Sequence, residues 1–150
     1  MKKRIFTMIG LLFILLFSCT YAGAIDLTQD NYVKVTENMT SAIYLNTKSP
    51  TVTRYSPPFY IIKGEMIIDD FSSDKIAVYN SNYFYNYEQQ EIAINDIDVI
   101  IYYKDGSSET IPIPADYPLN PVRTQPKYSV GATIGAMYFY LCYGIDFYKN

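Results

Sequence analysis

The sequence predicts an α+β domain: a mostly antiparallel, twisted β-sheet of about six strands with a C-terminal helix packed on one face. Three observations lead there. Short runs rich in β-branched and aromatic residues alternate with polar ones from Tyr32 to Ile113, punctuated by turn residues. Five prolines then crowd residues 112–126. Beyond them, Tyr128 to Tyr148 contains no proline, and its apolar residues recur at intervals of three and four.

Tyr32-Val33-Lys34-Val35-Thr36 alternates as a strand, Glu37-Asn38-Met39-Thr40 has turn chemistry, and Ala42-Ile43-Tyr44-Leu45 reads as the return of a hairpin. Thr51 to Tyr55 forms a third short strand, stopped by Pro57-Pro58. Phe59 to Ile68 is longer, and Gly64 near its middle is expected to mark a bulge or bend. Asp69 to Asp74 is loop. Lys75 to Tyr79 and Tyr83 to Tyr87 alternate again on either side of Asn80-Ser81-Asn82, and Glu91 to Asn95 extends the sheet.

The sharpest local expectation is a hairpin over residues 98–113. Asp98 to Tyr103 is β-branched and aromatic, Asp105-Gly106 accepts the positive φ of a tight turn, and Glu109 to Ile113 returns. Pro112 cannot donate to a ladder, so that strand ends at an edge. Proline at the density of residues 112–126 excludes helix and central strand, which predicts an extended surface connector. The final segment reads as a helix over 130–148, apolar on more than one face. Gly131, Gly135 and Gly144 leave a terminal strand as the alternative.

The N-terminus carries an address. Lys2, Lys3 and Arg4 precede thirteen uncharged residues, Ile5 to Phe17, and Tyr21-Ala22-Gly23-Ala24 offers a small-x-small cleavage site. That order predicts a secretory signal over residues 1–24 and a single domain over 25–150. The apolar run is too short for a permanent span. Leu16-Phe17-Ser18-Cys19 also resembles a bacterial lipobox, with Phe17 where a smaller residue is usual; in that reading Cys19 would be diacylated and become the new N-terminus. Cleavage after Ala24 is the expectation and lipidation at Cys19 the alternative. In either case the protein is expected to work outside the cytoplasm, in a secreted, periplasmic or surface setting.

Composition narrows the function classes. Without residues 1–24 the chain carries nine cations against fifteen carboxylates, with no basic cluster. An acidic domain of this kind argues against nucleic acid and against electrostatic docking on anionic lipid, which leaves the signal or a Cys19 lipid as the expected route to a membrane. No histidine is present, so Ser-His-Asp and Cys-His catalysis and imidazole-held metals are excluded as they are normally built. With Cys19 removed or lipidated, Cys142 stands alone among apolar residues and is expected to be a small buried hydrophobe. No glycine-rich phosphate loop occurs.

The acidic groups Asp69, Asp70 and Asp74, and Asn95, Asp96 and Asp98, lack the spacing of a calcium loop and read as solvated turns. Glu88 and Glu91, three apart on a strand, would face opposite sides rather than converge as a hydrolase pair. No catalytic residue, metal ligand or cofactor is therefore expected. One candidate binding feature remains. Tyr83, Tyr85 and Tyr87 share a face if their run is a strand, giving a rigid amphipathic strip suited to a protein or glycan partner. The competing expectation places the same rings beneath the helix.

Tyr32-Val33-Lys34-Val35 with Ile43-Tyr44-Leu45-Asn46, the central Tyr85-Asn86-Tyr87, and the aromatic-rich Met137 to Phe147 together resemble small secreted or lipid-anchored bacterial domains of the surface-adhesin-like, protein E-like group. The resemblance implies a β-rich extracytoplasmic domain of poorly defined function and brings no catalytic residues. The expected function is a non-catalytic binding or structural module of a bacterial envelope, with an envelope protein or glycan as partner. The alternatives are a membrane-tethered accessory lipoprotein and a carboxylate-based hydrolase.

Overall fold

The structure is a computed structural model, and it describes residues 25–114 and 122–149. The expected signal segment with Cys19, and the part of the proline-rich connector holding Pro118 and Pro121, lie outside the described residues.

Among the described residues the chain forms eight strands and one helix: β1 (Tyr32–Glu37), β2 (Ser41–Asn46), β3 (Thr51–Ser56), β4 (Phe59–Asp70), β5 (Lys75–Asn86), β6 (Glu91–Tyr103), β7 (Ser108–Pro112), β8 (Arg123–Thr124) and α1 (Val130–Tyr143). Every pairing is antiparallel. The α+β expectation therefore holds at the level of class, with eight strands in place of about six.

The difference comes from strand length. β4, β5 and β6 have 12, 12 and 13 residues, each long enough to take two partners end to end. β2 pairs with Met66–Asp70 of β4 while β3 pairs with Phe59–Lys63 on the same edge. β7 and β8 likewise share one edge of β6.

Two expected interruptions are absent. Asn80-Ser81-Asn82 is not a turn: it runs unbroken through β5 in register with Gly64 and its neighbours. Its polar side chains bond across to β6, Asn80 Nδ2 to Asp98 Oδ1 at 2.5 Å and Ser81 Oγ to Asp96 Oδ1 at 2.6 Å. Gly64 is not a bulge either, since it pairs directly with Ser81. In this part of the sheet a bulge lies instead in β6, where the partner of Asn80 is Asp98 and that of Ser81 is Asp96.

Directly paired residues share a face, so the register assigns the two surfaces. Ile62, Tyr83 and Ile94 form one rung, and Tyr60, Tyr85 and Ile92 the next; both lie beneath α1. Tyr44, Ile67, Val78 and Ile100 form a rung on the opposite surface. The principal core combines Leu45, Ile62, Tyr83, Tyr85 and Ile92 from the sheet with Ile134, Tyr138, Phe139 and Phe147 from the C-terminal segment.

The helix begins at Ser129, whose hydroxyl accepts the Ala132 amide at 3.1 Å. It ends at Tyr143, short of the expected 148. Gly144 takes the left-handed conformation, φ 67°, and returns its amide to Tyr140 O at 2.7 Å. The last residues turn back, so that Phe147 is buried against Tyr85, Tyr87 and Phe139. The expected connector is also interrupted. Pro112 closes edge strand β7, and Arg123–Thr124 forms a short pairing with β6. The Asp105-Gly106 hairpin forms as expected, with Gly106 at φ 86°.

Candidate functional site

Tyr83, Tyr85 and Tyr87 do share a face, but not a wet one. Tyr83 is 1 % exposed and Tyr85 2 %. The binding-strip expectation is therefore corrected: the helix lies over these rings. Tyr83 meets Tyr138 edge-on at 5.2 Å, and the Tyr85 hydroxyl donates to Gly135 O at 2.8 Å. Tyr87, half-buried, stacks on Phe139 at 5.6 Å and carries the Lys149 ammonium 4.7 Å above its ring. Burial, reinforced by neighbouring tyrosines, pushes the Tyr83 and Tyr85 phenols well above their ordinary range. Burial also raises Tyr138 to about 12, against the pull of its bonds with Ser49 and Glu65 O.

The acidic groups do not converge. Asp70 accepts from the Ser72 amide and from the Ser72 and Ser73 hydroxyls, which hold its carboxyl down to about 2. Asp74 pairs with Lys104 at 3.1 Å. Asp69 is shifted the other way, raised by burial and by the charge of Asp70. The partners of Asp96 and Asp98, Ser81 and Asn80, are adjacent strand residues, so the two carboxylates lie on opposite faces of the sheet. Glu88 lies in the turn before β6, and Glu91 is exposed at the start of β6. Among the described residues no three acids or cysteines gather as a metal site.

Asp96 is tied to two other elements. It accepts from Ser81 and faces Arg123 of β8 at 3.6 Å, with 16 % of its side chain exposed. This pair clips β8 to the sheet beside the start of α1. Cys142, expected to be a buried hydrophobe, is only half-buried: it packs against the outside of the core, and burial raises its thiol. Cys19 lies outside the described residues.

The feature with binding geometry lies on the other side of the helix. A cleft of about 580 Å³ opens where α1 passes the β1–β2 edge, with Val33, Leu45, Met137, Tyr140, Leu141 and Tyr148 among its lining. Its walls are mostly apolar, and its size is that of a small-ligand site. A smaller hollow of about 310 Å³ lies at the far end of the sheet between the Asp70 and Lys104 loops. The larger cleft exists because α1 is apolar on more than one side: Ile134, Tyr138 and Phe139 go inward, Met137 packs partly against them, and Tyr140 and Leu141 are left over. That signal is present in the sequence as the helix apolar on several faces. The approach of the β1–β2 edge, which closes the cleft, is a long-range feature that no local pattern carries.

Among the described residues no helix is long and apolar enough to cross a membrane. Compared with family models, with curated proteins and with solved structures, the chain matches none of them.

Proposed function

We propose that this protein is an extracytoplasmic binding or structural module of a bacterial envelope that works without catalysis, through the cleft beside α1. The observation that carries the reading is the cleft itself. It is a concave surface of about 580 Å³, and apolar side chains rather than reactive groups dominate it. The address rests on the N-terminal order of Lys2-Lys3-Arg4, the uncharged Ile5–Phe17 run and Tyr21-Ala22-Gly23-Ala24. The likeness to surface-adhesin-like, protein E-like domains belongs to this proposal and points the same way.

What the other polar groups do supports a binding role. Asp96, Ser81 and Arg123 engage one another, and the buried tyrosine hydroxyls of Tyr85 and Tyr138 serve backbone carbonyls. These are the bonds of a scaffold. The test is mass spectrometry of the native N-terminus together with cell fractionation. A free N-terminus at Ile25 in an extracytoplasmic fraction is the expected result. A fatty-acid label that disappears in Cys19→Ala would replace it with the tethered lipoprotein, and retention in the cytoplasm would overturn the reading.

A further inference from the structure

The cleft beside α1 joins an apolar trough to a single charge. Val33, Leu45, Met137 and Leu141 are among its walls, and the one charged residue in its lining is Asp146. Asp146 is exposed, and among the described residues no cation stands within ion-pair distance of it. A neutral occupant lying against that carboxylate would strip water from it without a compensating contact, and an anionic one would add repulsion. A cationic occupant offsets the lost hydration. The rest of the molecule pulls the same way. Beyond residue 24 the chain has nine cations against fifteen carboxylates, so its field draws cations in.

Tyrosine rings supply a second kind of partner for a cation. Tyr128, Tyr140 and Tyr148 line the cleft, and Tyr128 is 82 % and Tyr140 54 % exposed. Two of these rings already hold an ammonium. Lys127 Nζ lies 5.4 Å from the centre of the Tyr128 ring and 5.0 Å from that of Tyr148, within the range of a cation–π contact. The chain thus shows, with its own lysine, that this pair of rings accepts an ammonium.

We infer that the cleft binds a cationic amphiphile: a small molecule whose aliphatic body lies in the trough and whose ammonium head meets Asp146 and the tyrosine rings. At about 580 Å³ the cleft has the size of a site for one such molecule. The inference rests on the reading of this cleft as the binding surface, and it names the ligand class. Lys127 then acts as a competitor from within the chain, since its ammonium occupies two of the rings that the head would use.

Decyltrimethylammonium, decyl maltoside and decyl sulfate share one tail and differ in charge. Each is titrated calorimetrically, below its micelle concentration, into the full-length protein and its variants. Residues 1–24 are common to all of them, so any amphiphile they attract cancels in the comparison. The expected order of affinity is ammonium, then maltoside, then sulfate. Asp146→Asn should weaken the ammonium by about threefold to fivefold and leave the maltoside unchanged. Lys127→Ala should strengthen the ammonium by about threefold. Glu109→Gln removes the same charge as Asp146→Asn, but from β7 at the opposite edge of the sheet, and should change neither. Leu141→Ser should weaken the ammonium and the maltoside alike, by about fivefold. Because the site belongs to the folded state, the ammonium should also raise the Tm.

Equal affinities for the three heads would overturn the inference and leave the cleft a binding surface. Binding of none of them would overturn both. An ammonium preference that Asp146→Asn leaves intact, or that Glu109→Gln reduces as much, would assign the preference to the acidic surface at large and overturn the inference. So would a Tm lowered by the ammonium, which would show binding to the unfolded chain. A cytoplasmic location would remove the envelope address and leave these affinities as they stand.

Discussion

The ring of Tyr138 lies flat against the backbone of Gly64, so close that a Cβ built on that glycine would stand 2.5 Å from Cε2 and 2.8 Å from Cζ. Tyr138 cannot easily retreat, because its hydroxyl donates to Glu65 O at 2.5 Å and its ring meets Tyr83. This contact sets how closely α1 approaches the middle of the sheet. Gly64→Ala should destabilise the protein by about 1–3 kcal/mol, the usual penalty of overpacking. Urea unfolding measures it, and Tyr138→Ala supplies the check. If the clash is the cause, the glycine substitution will cost much less in the Tyr138→Ala background, and the two effects will be strongly non-additive.

The same conservative change should have opposite signs at two tyrosines. Tyr85 gives its hydroxyl to Gly135 O inside the core, so Tyr85→Phe leaves a buried carbonyl without that donor and should cost about 1 kcal/mol. Tyr143 has a buried hydroxyl with no hydrogen-bond partner among the described residues, and it lies among the rings of Tyr55, Tyr60 and Phe139. Tyr143→Phe removes that burden and should stabilise by about 1 kcal/mol. Thermal melts of the two variants beside the parent decide it. A loss of stability in Tyr143→Phe would show that the hydroxyl has a partner after all.

These side chains also show where sequence reasoning reaches its limit. Alternation at Tyr83, Tyr85 and Tyr87 reveals that the three share a face, because the period of a strand is local. Whether that face is wet depends on a helix fifty residues later. Asn80-Ser81-Asn82 has the composition of a turn, and only the partners Asp98 and Asp96 on the next strand make it the middle of a strand. The end of the helix was more legible than the expected boundary at 148 allowed: Gly144 is a left-handed C-cap, a signal that Gly after an apolar run carries by itself. The cleft needs both kinds of information. The surplus apolar face of α1 is written in residues 130–145, and the edge that turns it into a cleft is fixed by tertiary pairing.

Alkaline pH should unfold the protein through its buried phenols. Tyr83 and Tyr85 are raised well above the ordinary value of 10.0, and Tyr138 to about 12, all chiefly by burial. The folded state therefore keeps protons that the unfolded chain releases above about pH 10. Their contribution to stability is complete below that pH and is lost as the pH rises toward 12 and beyond. Urea midpoints should be flat in this respect up to about pH 10 and fall steeply above it. Phenolate absorbance should show the exposed tyrosines titrating first, with the buried group appearing only as the fold is lost. A single titration of all phenols near pH 10 with the fold intact would contradict this.

The last prediction separates what α1 covers from what it leaves bare. Deleting everything after Pro126 would uncover Ile62, Tyr83, Tyr85 and Ile92, all at most 2 % exposed in the complete chain. An apolar sheet face of that kind is an aggregation surface. The truncated protein should aggregate or bind a hydrophobic dye strongly, and it should lose its cooperative melt. The outer side of the helix offers the contrast. Leu141→Ser and Ile145→Ser alter residues that are already half exposed, so each alone should change stability by no more than about 0.5 kcal/mol. If the outer pair proved as costly as a core substitution, the outward face of α1 would be part of the fold and not a surface held ready for contact. A truncated protein that stayed monomeric with an unchanged melt would show that the sheet holds itself together without its helix.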